Sequence, residues 1–254
     1  MFRYGIFRIL LLLAISAVAL VALLALLEID SPEVPLLLAF GAFTLGIVGI
    51  DLARSGRRVL ADFRKGRYKW ALRGTRWLLR WSFRRSSRST LQLNLAACYL
   101  ASGDYPEGGE VLGSMDKEGL PDNLVGIWEN NFAYYLLSTG GDAREALRLC
   151  DKASSLNPSN PAFRSTRGIA QLALGRVDDA IAELQAAVDA GLETQGPAAM
   201  AENYYHLAQA WETHGEVAYA RDHYLKSVNI GPDTLFGRRS AERLQEQHNL
   251  WPAG

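Results

Sequence analysis

The histidines are the first candidates for chemistry in this sequence. His206, His214 and His223 are separated by 8 and 9 residues. On helices, these spacings do not bring three imidazoles together on one face, so a metal site is not expected there. The sequence also contains no phosphate-binding glycine loop, no HExxH motif and no nucleophile elbow. It therefore predicts a protein that is not an enzyme and that uses no metal or cofactor.

Acidic residues and cysteines are the next candidates. Asp178, Asp179 and Glu183 begin a predicted helix, where carboxylates interact favourably with the helix dipole and contact solvent. The two cysteines, Cys98 and Cys150, lie at packing positions of predicted helices and form no CxxC motif. We expect a structural role for both, in a reducing compartment.

The elements that would position these residues are pairs of amphipathic helices. Each pair has a first helical segment, a glycine, one or two short polar residues and a second segment. The turn glycines are Gly103, Gly140, Gly175 and Gly215, at spacings of 37, 35 and 40 residues. Small residues lie seven positions before each glycine, at Ala96, Ala133, Gly168 and Ala208, and again after it, at Gly108, Ala146, Ala180 and Ala220. Small side chains at these places let paired helices pack closely.

This pattern resembles the tetratricopeptide repeat, a helical hairpin of about 34 residues. Its clearest copy is Ala201–Pro232, where Gly215 forms the turn and Pro232 ends the second helix. The resemblance implies an all-α fold: an α-solenoid of about four helix pairs over residues 89–234. A capping helix and tail at 235–254 would cover the last apolar face.

In this family, first-helix residues line a concave groove that binds a partner. The residues predicted to line it here are Asn94, Asn130, Asn131, Tyr134, Tyr205, Gln209 and Glu212. Amides can hydrogen-bond to an extended peptide, and tyrosine supplies rigid contact area. For some of these residues the alternative is that they are ordinary residues of a helix surface, with no role in binding a partner. Some family members grip carboxylate tails with a clamp. This chain keeps one clamp amide, Asn131, but carries Leu93, Ala97, Ala162 and Thr166 at the other clamp positions. We therefore expect a protein or peptide partner other than an acidic tail.

The N-terminal region, residues 1–53, predicts a transmembrane hairpin with spans at about 9–27 and 34–51. Residues 9–27 are apolar except for Ser16, and residues 34–50 carry no charge. The connecting loop is acidic while basic residues flank both spans. This charge distribution predicts a multi-pass protein of the cell (inner) membrane, with its N-terminus and repeat domain in the cytoplasm. A cleaved signal peptide, ending at Ala17–Ala19, and a buried hairpin are the alternatives.

Residues 54–88 form a basic segment beside this hairpin. Residues 54–90 carry a net charge of +12 and residues 91–254 a net charge of −10. Tryptophans and arginines recur there at helical spacing: Trp70, Trp77, Trp81, Arg73, Arg76 and Arg80. This pattern predicts a helix on the membrane surface that contacts anionic lipid head groups. The alternative is a degenerate repeat packed internally, because the residues around Gly66 resemble a repeat turn. Nucleic-acid binding is not expected, since lipid phosphates would be nearer.

Together these features predict a membrane-anchored bacterial scaffold of the tetratricopeptide repeat type, which binds proteins and assembles complexes. The alternative is an integral, non-catalytic subunit of a membrane enzyme or transport complex, in which the spans make the functional contact.

Overall fold

The structure, a computed structural model, describes residues 11, 13–19, 21–22, 34–82 and 84–250. The chain divides into two compact units, Met1–Arg58 and Val59–Gly254. The helices that the structure bounds are α1 (Val34–Arg64), α2 (Tyr68–Arg80), α3 (Arg85–Ser102), α4 (Tyr105–Gly113), α5 (Asp122–Ser138), α6 (Ala143–Leu156), α7 (Pro161–Ala173), α8 (Val177–Asp189), α9 (Pro197–His214), α10 (Val217–Ile230) and α11 (Leu235–Leu250). A 3-10 turn, Leu192–Gln195, precedes α9.

The N-terminal unit is helical at residues 11, 13–19 and 21–22 and again from Val34 onward. Small side chains form its interior: Ala14, Ala17 and Thr44 are buried. Large apolar side chains on the same segments, such as Phe40 and Phe43, remain exposed within this unit. Apolar surface of this kind is typical of a contact site.

The predicted membrane localisation is wrong. In the parts of the chain that the structure describes, no helix is both long enough and apolar enough to cross a membrane. The apolar run of α1 stops at Asp51, and basic residues follow within the same helix, whereas a span needs about 20 predominantly apolar residues. Residues 9–10, 12, 20 and 23–27 of the first predicted span, and the loop at 28–33, lie outside the described residues. The alternative prediction, an integral subunit of a membrane complex whose spans make the functional contact, loses its support for the same reason.

The second unit is a succession of antiparallel helix pairs: α3 with α4, α5 with α6, α7 with α8, and α9 with α10. Each pair packs against its neighbours in the chain, and α11 packs on the last pair. The prediction of an all-α array of helix pairs is confirmed for this unit.

The turn inside each pair has one geometry. The turn glycines have positive φ angles of 88° at Gly103, 71° at Gly140, 72° at Gly175 and 94° at Gly215. In every case the glycine N–H donates to the carbonyl three residues earlier, and the next N–H donates to the carbonyl five residues before it. This is the glycine cap that ends a helix by satisfying its last carbonyl groups. A side chain at these φ values would be strained, which explains why glycine recurs at this position.

Small residues permit the close helix contacts within each pair. Ala96, Ala133 and Ala208 are fully buried. At Gly168 a Cβ atom would lie 2.6 Å from Leu184 Cγ, so even alanine would displace the facing leucine. The predicted positions for small residues are therefore the places where paired helices come closest.

Buried polar side chains join neighbouring pairs. Asn203 of α9 is fully buried; its Oδ1 accepts a hydrogen bond from Ser165 Oγ at 2.8 Å, and its Nδ2 donates to the Leu184 carbonyl at 3.0 Å. Within the last pair, Ser227 of α10 donates to the Ala201 carbonyl of α9 at 2.7 Å. Satisfied polar groups of this kind fix which helices neighbour one another.

The segment around Gly66 has the same turn as the helix pairs. Gly66 has a φ of 71°, and its N–H and that of Arg67 donate to carbonyls three and five residues earlier. Seven residues before Gly66 lies the buried Val59, and five residues after it lies the fully buried Ala71. The C-terminal end of α1 and helix α2 therefore form a further pair in register with the others.

The two ends of the second unit meet. A Cβ atom at Gly66 would lie 3.7 Å from Thr234 Cγ2, and one at Gly103 would lie 3.7 Å from Leu235 Cδ2. The loop before α9 presses so closely on the end of α1 that a Cβ atom at Gly196 would collide with the Arg64 carbonyl. These contacts enclose the inner face of the array near its last pair.

Candidate partner-binding site

Asparagines on α3 and α5 form the open part of the predicted site. Asn94 and Asn131 both lie nine residues before a turn glycine, so they occupy equivalent positions on successive first helices. Asn94 is exposed. Asn131 is half-buried, and among the described residues its buried Nδ2 has no hydrogen-bond partner. The neighbouring Asn130 is buried, and its Oδ1 likewise lacks a partner there.

Tyr134 lies one helical turn beyond these amides and points toward α9. Its hydroxyl hydrogen-bonds to the carboxylate of Glu202, and burial together with that negative charge raises the pKa of Tyr134 well above its usual value. The ring also packs against the apolar clusters that contain Trp128 and Leu207. Tyr134 therefore joins the first helices of two different pairs and is less available to a partner than Asn94.

Glu202 was not predicted as a site residue. Burial raises its pKa to about 7, although the Tyr134 hydroxyl and the nearby charge of Arg239 act in the opposite direction. Its Oε1 is buried and has no hydrogen-bond partner among the described residues. The sequence offered one signal, which is an acid flanked by the apolar residues Met200 and Ala201 and followed by aromatic ones.

A small cavity of about 70 Å³ lies beside Glu202. Its aromatic lining comes from Phe63 and Tyr68 at the N-terminal end of the array and from Phe236 at its C-terminal end. The remaining lining residues are Ala101, Gln195, Ala198, Ala199, Thr234 and Leu235. Burial raises the pKa of the Tyr68 hydroxyl, and the negative charge of Glu202 adds to that rise. The meeting of the two ends of the array thus creates a partly open cavity beside an acidic group.

Tyr205, Gln209 and Glu212, the other predicted site residues, contact the cap helix and each other. The Tyr205 ring lies 5.3 Å from that of Phe236, and Gln209 Nε2 donates to the Tyr205 hydroxyl at 3.2 Å. Glu212 accepts hydrogen bonds from Tyr224 and from Arg243 of α11, at 2.9 and 2.8 Å. The structure does not gather the predicted set on one open surface: Asn94 of α3 is its one exposed member, and the others are half-buried or buried.

Helix α2 carries the predicted lipid-contacting residues. Trp70 is 61% exposed, and the guanidinium of Arg73 lies 5.3 Å from the centre of its ring. Arg76 instead turns to the next helix, where it donates to the Tyr99 hydroxyl and lies over that ring. Of the others, Arg80 is exposed, and Trp77 and Trp81 are half-buried. One side of α2 therefore packs in the array, and the other presents an aromatic residue among basic ones.

The histidines and cysteines do not assemble into a reactive centre. His206 contacts Gln209 at 2.9 Å, His214 faces Asp178 at 3.3 Å, and His223 donates to the carbonyl of Tyr219. Within the described part of the chain, no group of three His, Cys, Asp or Glu residues could hold a metal ion. The two cysteines are buried and unpaired, and burial raises the pKa of each thiol to about 12.

Comparison with known proteins agrees with this geometry. The sequence model of the tetratricopeptide repeat family matches residues 139–210. Those residues are therefore similar in sequence to tetratricopeptide repeats. The matched stretch includes the turns at Gly140 and Gly175, which have the same hydrogen bonds as the turns outside it.

Two individual proteins extend the tetratricopeptide repeat comparison. The crystal structure of TTC0263, a thermophilic TPR protein of Thermus thermophilus, is 20% identical, with a TM-score of 0.56 over 76% of this chain and 99% of that one. This likeness shows a shared fold. A TPR repeat-containing thioredoxin, TTL4 of Arabidopsis thaliana, is 39% identical over 110 residues. The match spans 42% of this chain and 14% of that protein. These matches support neither a membrane anchor nor a bacterial origin.

The tetratricopeptide positions that hold a carboxylate clamp in some members are filled by non-cationic residues here. Leu93 is buried in the apolar cluster with Trp128, and the Thr166 hydroxyl donates to the carbonyl of Ala162 in its own helix. Since none of these side chains carries a positive charge, the clamp positions offer no group to pair with a carboxylate.

Proposed function

We propose that this chain is a protein-interaction scaffold that binds an extended segment of a partner across α3 and α5. The observation that carries the proposal is the row formed by Asn94 and Asn131 at equivalent repeat positions, where Asn94 is exposed and Asn131 is half-buried.

The ligand chemistry follows from these side chains. An asparagine both donates and accepts, so successive asparagines can hydrogen-bond to the N–H and carbonyl groups of an extended chain without selecting a charge. The clamp positions hold no cation, which disfavours a terminal carboxylate as the main anchor. The tetratricopeptide match supports a protein partner of this kind.

The test compares the partners of three full-length proteins by affinity capture and quantitative mass spectrometry. In the site variant, Asn94→Ala is combined with Asn131→Ala. The control is Asn229→Ala, an exposed asparagine at the end of α10. We expect the site variant to lose at least tenfold in the amount of its main partners and the control to keep them. Equal capture by all three proteins would contradict the proposed surface.

A second candidate function is peripheral contact with anionic lipid through α2. Exposed Trp70 with Arg73 over its ring favours it, because aromatic and basic side chains together suit a lipid head-group region. Vesicles of anionic phospholipid, compared with zwitterionic ones, should shift tryptophan fluorescence only in the anionic case, and added salt should reverse the shift. No shift, or a shift that Arg73→Ser and Arg80→Ser together leave unchanged, excludes this contact.

A further inference from the structure

The cavity beside Glu202 combines an aromatic lining with a buried acidic residue. It lies where the first and last parts of the array meet, and aromatic side chains from both parts line it. Glu202 is one of its lining residues, and the Oε1 atom of Glu202 is buried without a hydrogen-bond partner among the described residues. The Tyr134 hydroxyl hydrogen-bonds to the same carboxylate. Because a buried carboxylate oxygen without a partner is destabilising, the site lacks one hydrogen-bond donor.

The shape and lining of the cavity indicate what this donor is. A water molecule needs about 10–15 Å³ of such space, so a cavity of about 70 Å³ has room for a few non-hydrogen atoms. Phe63 and Tyr68 stand edge to face with their ring centres 5.6 Å apart, and Phe236 lines the cavity from the other end of the array. Aromatic faces attract cations, most strongly where water is excluded.

We propose that this cavity binds an alkylammonium group, with the carboxylate of Glu202 as its counter-ion and the rings of Phe63, Tyr68 and Phe236 as its walls. Such a group is available as a lysine side chain, as the amino terminus of a protein, or as a free amine. The site uses residues other than the asparagines of α3 and α5, so it stands independently of the proposed partner-binding surface.

The groups facing Glu202 favour this ligand over an anion. Tyr134 of α5 and Tyr68 at the start of α2 present hydroxyl-bearing rings, and their pKa values are raised, so both stay neutral. Arg239 of α11 is the positive charge that acts on Glu202. It does not line the cavity, and its guanidinium lies 5.3 Å from the centre of the Phe236 ring. A ligand cation would therefore have its closest ionic contact with Glu202.

Binding should depend on pH in a defined direction. Glu202 has a pKa of about 7, so its carboxylate is about tenfold more populated at pH 8 than at pH 6. Butylammonium and a lysine side chain stay charged throughout this range, whereas a protein amino terminus is about half deprotonated at pH 8. We therefore expect up to a tenfold weaker apparent affinity at pH 6, and a ligand that prefers the protonated acid would show the reverse trend.

The test is calorimetric titration of the full chain at pH 8 with n-butylammonium chloride and with n-butanol, its neutral analogue. We expect millimolar binding of butylammonium and at least tenfold weaker binding of butanol. Nα-acetyl-lysine methylamide and alanine methylamide, which present a side-chain ammonium and an amino terminus, then distinguish the sources. The tightest of the three amines identifies the natural form of the group.

Variants assign the binding to this cavity. Glu202→Gln keeps the size of the side chain and should weaken butylammonium binding at least tenfold. Glu193→Gln, which makes the same charge change at an exposed position outside the cavity, should leave it unchanged. Ala198→Val adds volume to the lining without changing charge and should also abolish binding, while circular dichroism verifies that each variant is folded. The proposal is overturned if folded wild-type protein binds no amine, if butanol matches butylammonium, or if Glu202→Gln binds as tightly as the wild type.

Discussion

The pairing of α1 with α2 makes a sharp prediction at Gly74. A Cβ atom at this position would lie 2.5 Å from Val59 Cγ2. Val59 is buried, and its branched side chain has little rotameric freedom. Gly74→Ala should therefore cost up to about 3 kcal/mol through overpacking. Better helix propensity offsets about 1 kcal/mol of this. We expect the free energy of unfolding to fall by about 2 kcal/mol.

The same change should have the opposite sign once Val59 is shortened. Val59→Ala removes two buried methyl groups, at about 0.8 kcal/mol each, and leaves a small cavity, so alone it should cost about 2 kcal/mol. In that background the new Cβ at position 74 meets free space, and Gly74→Ala should stabilise by about 1 kcal/mol. The coupling between the two changes is then about 3 kcal/mol, the size expected for side chains in direct contact.

Urea unfolding of the full chain, followed by circular dichroism, measures all four proteins of this cycle. The matched control is Gly113→Ala at the end of α4, where a Cβ atom would meet nothing within 4 Å. This change should stabilise both backgrounds equally, by less than about 1 kcal/mol. If Gly74→Ala instead has the same effect with Val59 and with alanine at position 59, then α1 and α2 do not form the pair described above.

Other predictions concern buried polar groups. The folded protein keeps the proton of Glu202 up to a pH of about 7 while the unfolded chain loses it near 4.5, so stability should fall as pH rises through this window. At about 1.4 kcal/mol per pH unit the loss is about 3 kcal/mol. The difference in unfolding free energy between the wild type and Glu202→Gln, measured across this pH range, should show it. A difference that does not change with pH would refute the burial of this acid. Asn203→Ala leaves the Leu184 carbonyl without its donor and should lower the unfolding free energy by about 2 kcal/mol in urea titrations; a loss below about 0.5 kcal/mol would contradict this. Thiol reagents should modify Cys98 and Cys150 quickly only in denaturant, because burial shields both; fast labelling of native protein would count against it.

Local sequence features predicted much of the helix-pair array. Turn glycines such as Gly103 and Gly215, and the small residues at fixed distances from them, reflect constraints that act within one hairpin: a positive φ angle and a close helix contact. Because these constraints act at fixed positions of each hairpin, they select the same residue types at a fixed spacing along the sequence. The turn at Gly66 carries the same signal more weakly, because a valine replaces the small residue seven positions earlier.

The candidate sites were less predictable because they depend on how the array curves. Glu202 meets Tyr134 of another pair and the cavity lined by Phe63, and no sequence spacing records these distances. Tyr205 and Glu212 were assigned to the groove by their place in the first helix, but their actual neighbours belong to the cap helix. The membrane prediction failed because it ended the second span near residue 51 and took the basic residues beyond it as a flank, whereas α1 continues through Asp51 and those basic residues to Arg64 as one helix.

The contact between the ends of the array has a consequence for how the chain folds. In an open solenoid each repeat touches only its neighbours, so folding can start anywhere and proceed by local steps. Here the turn at Gly66 contacts Thr234, far along the sequence. Bringing such distant residues together costs chain entropy before the contact can form, which slows folding and makes it more cooperative. We therefore expect the Gly66–Thr234 contact to form late, as a rate-limiting closure absent from a truncated array.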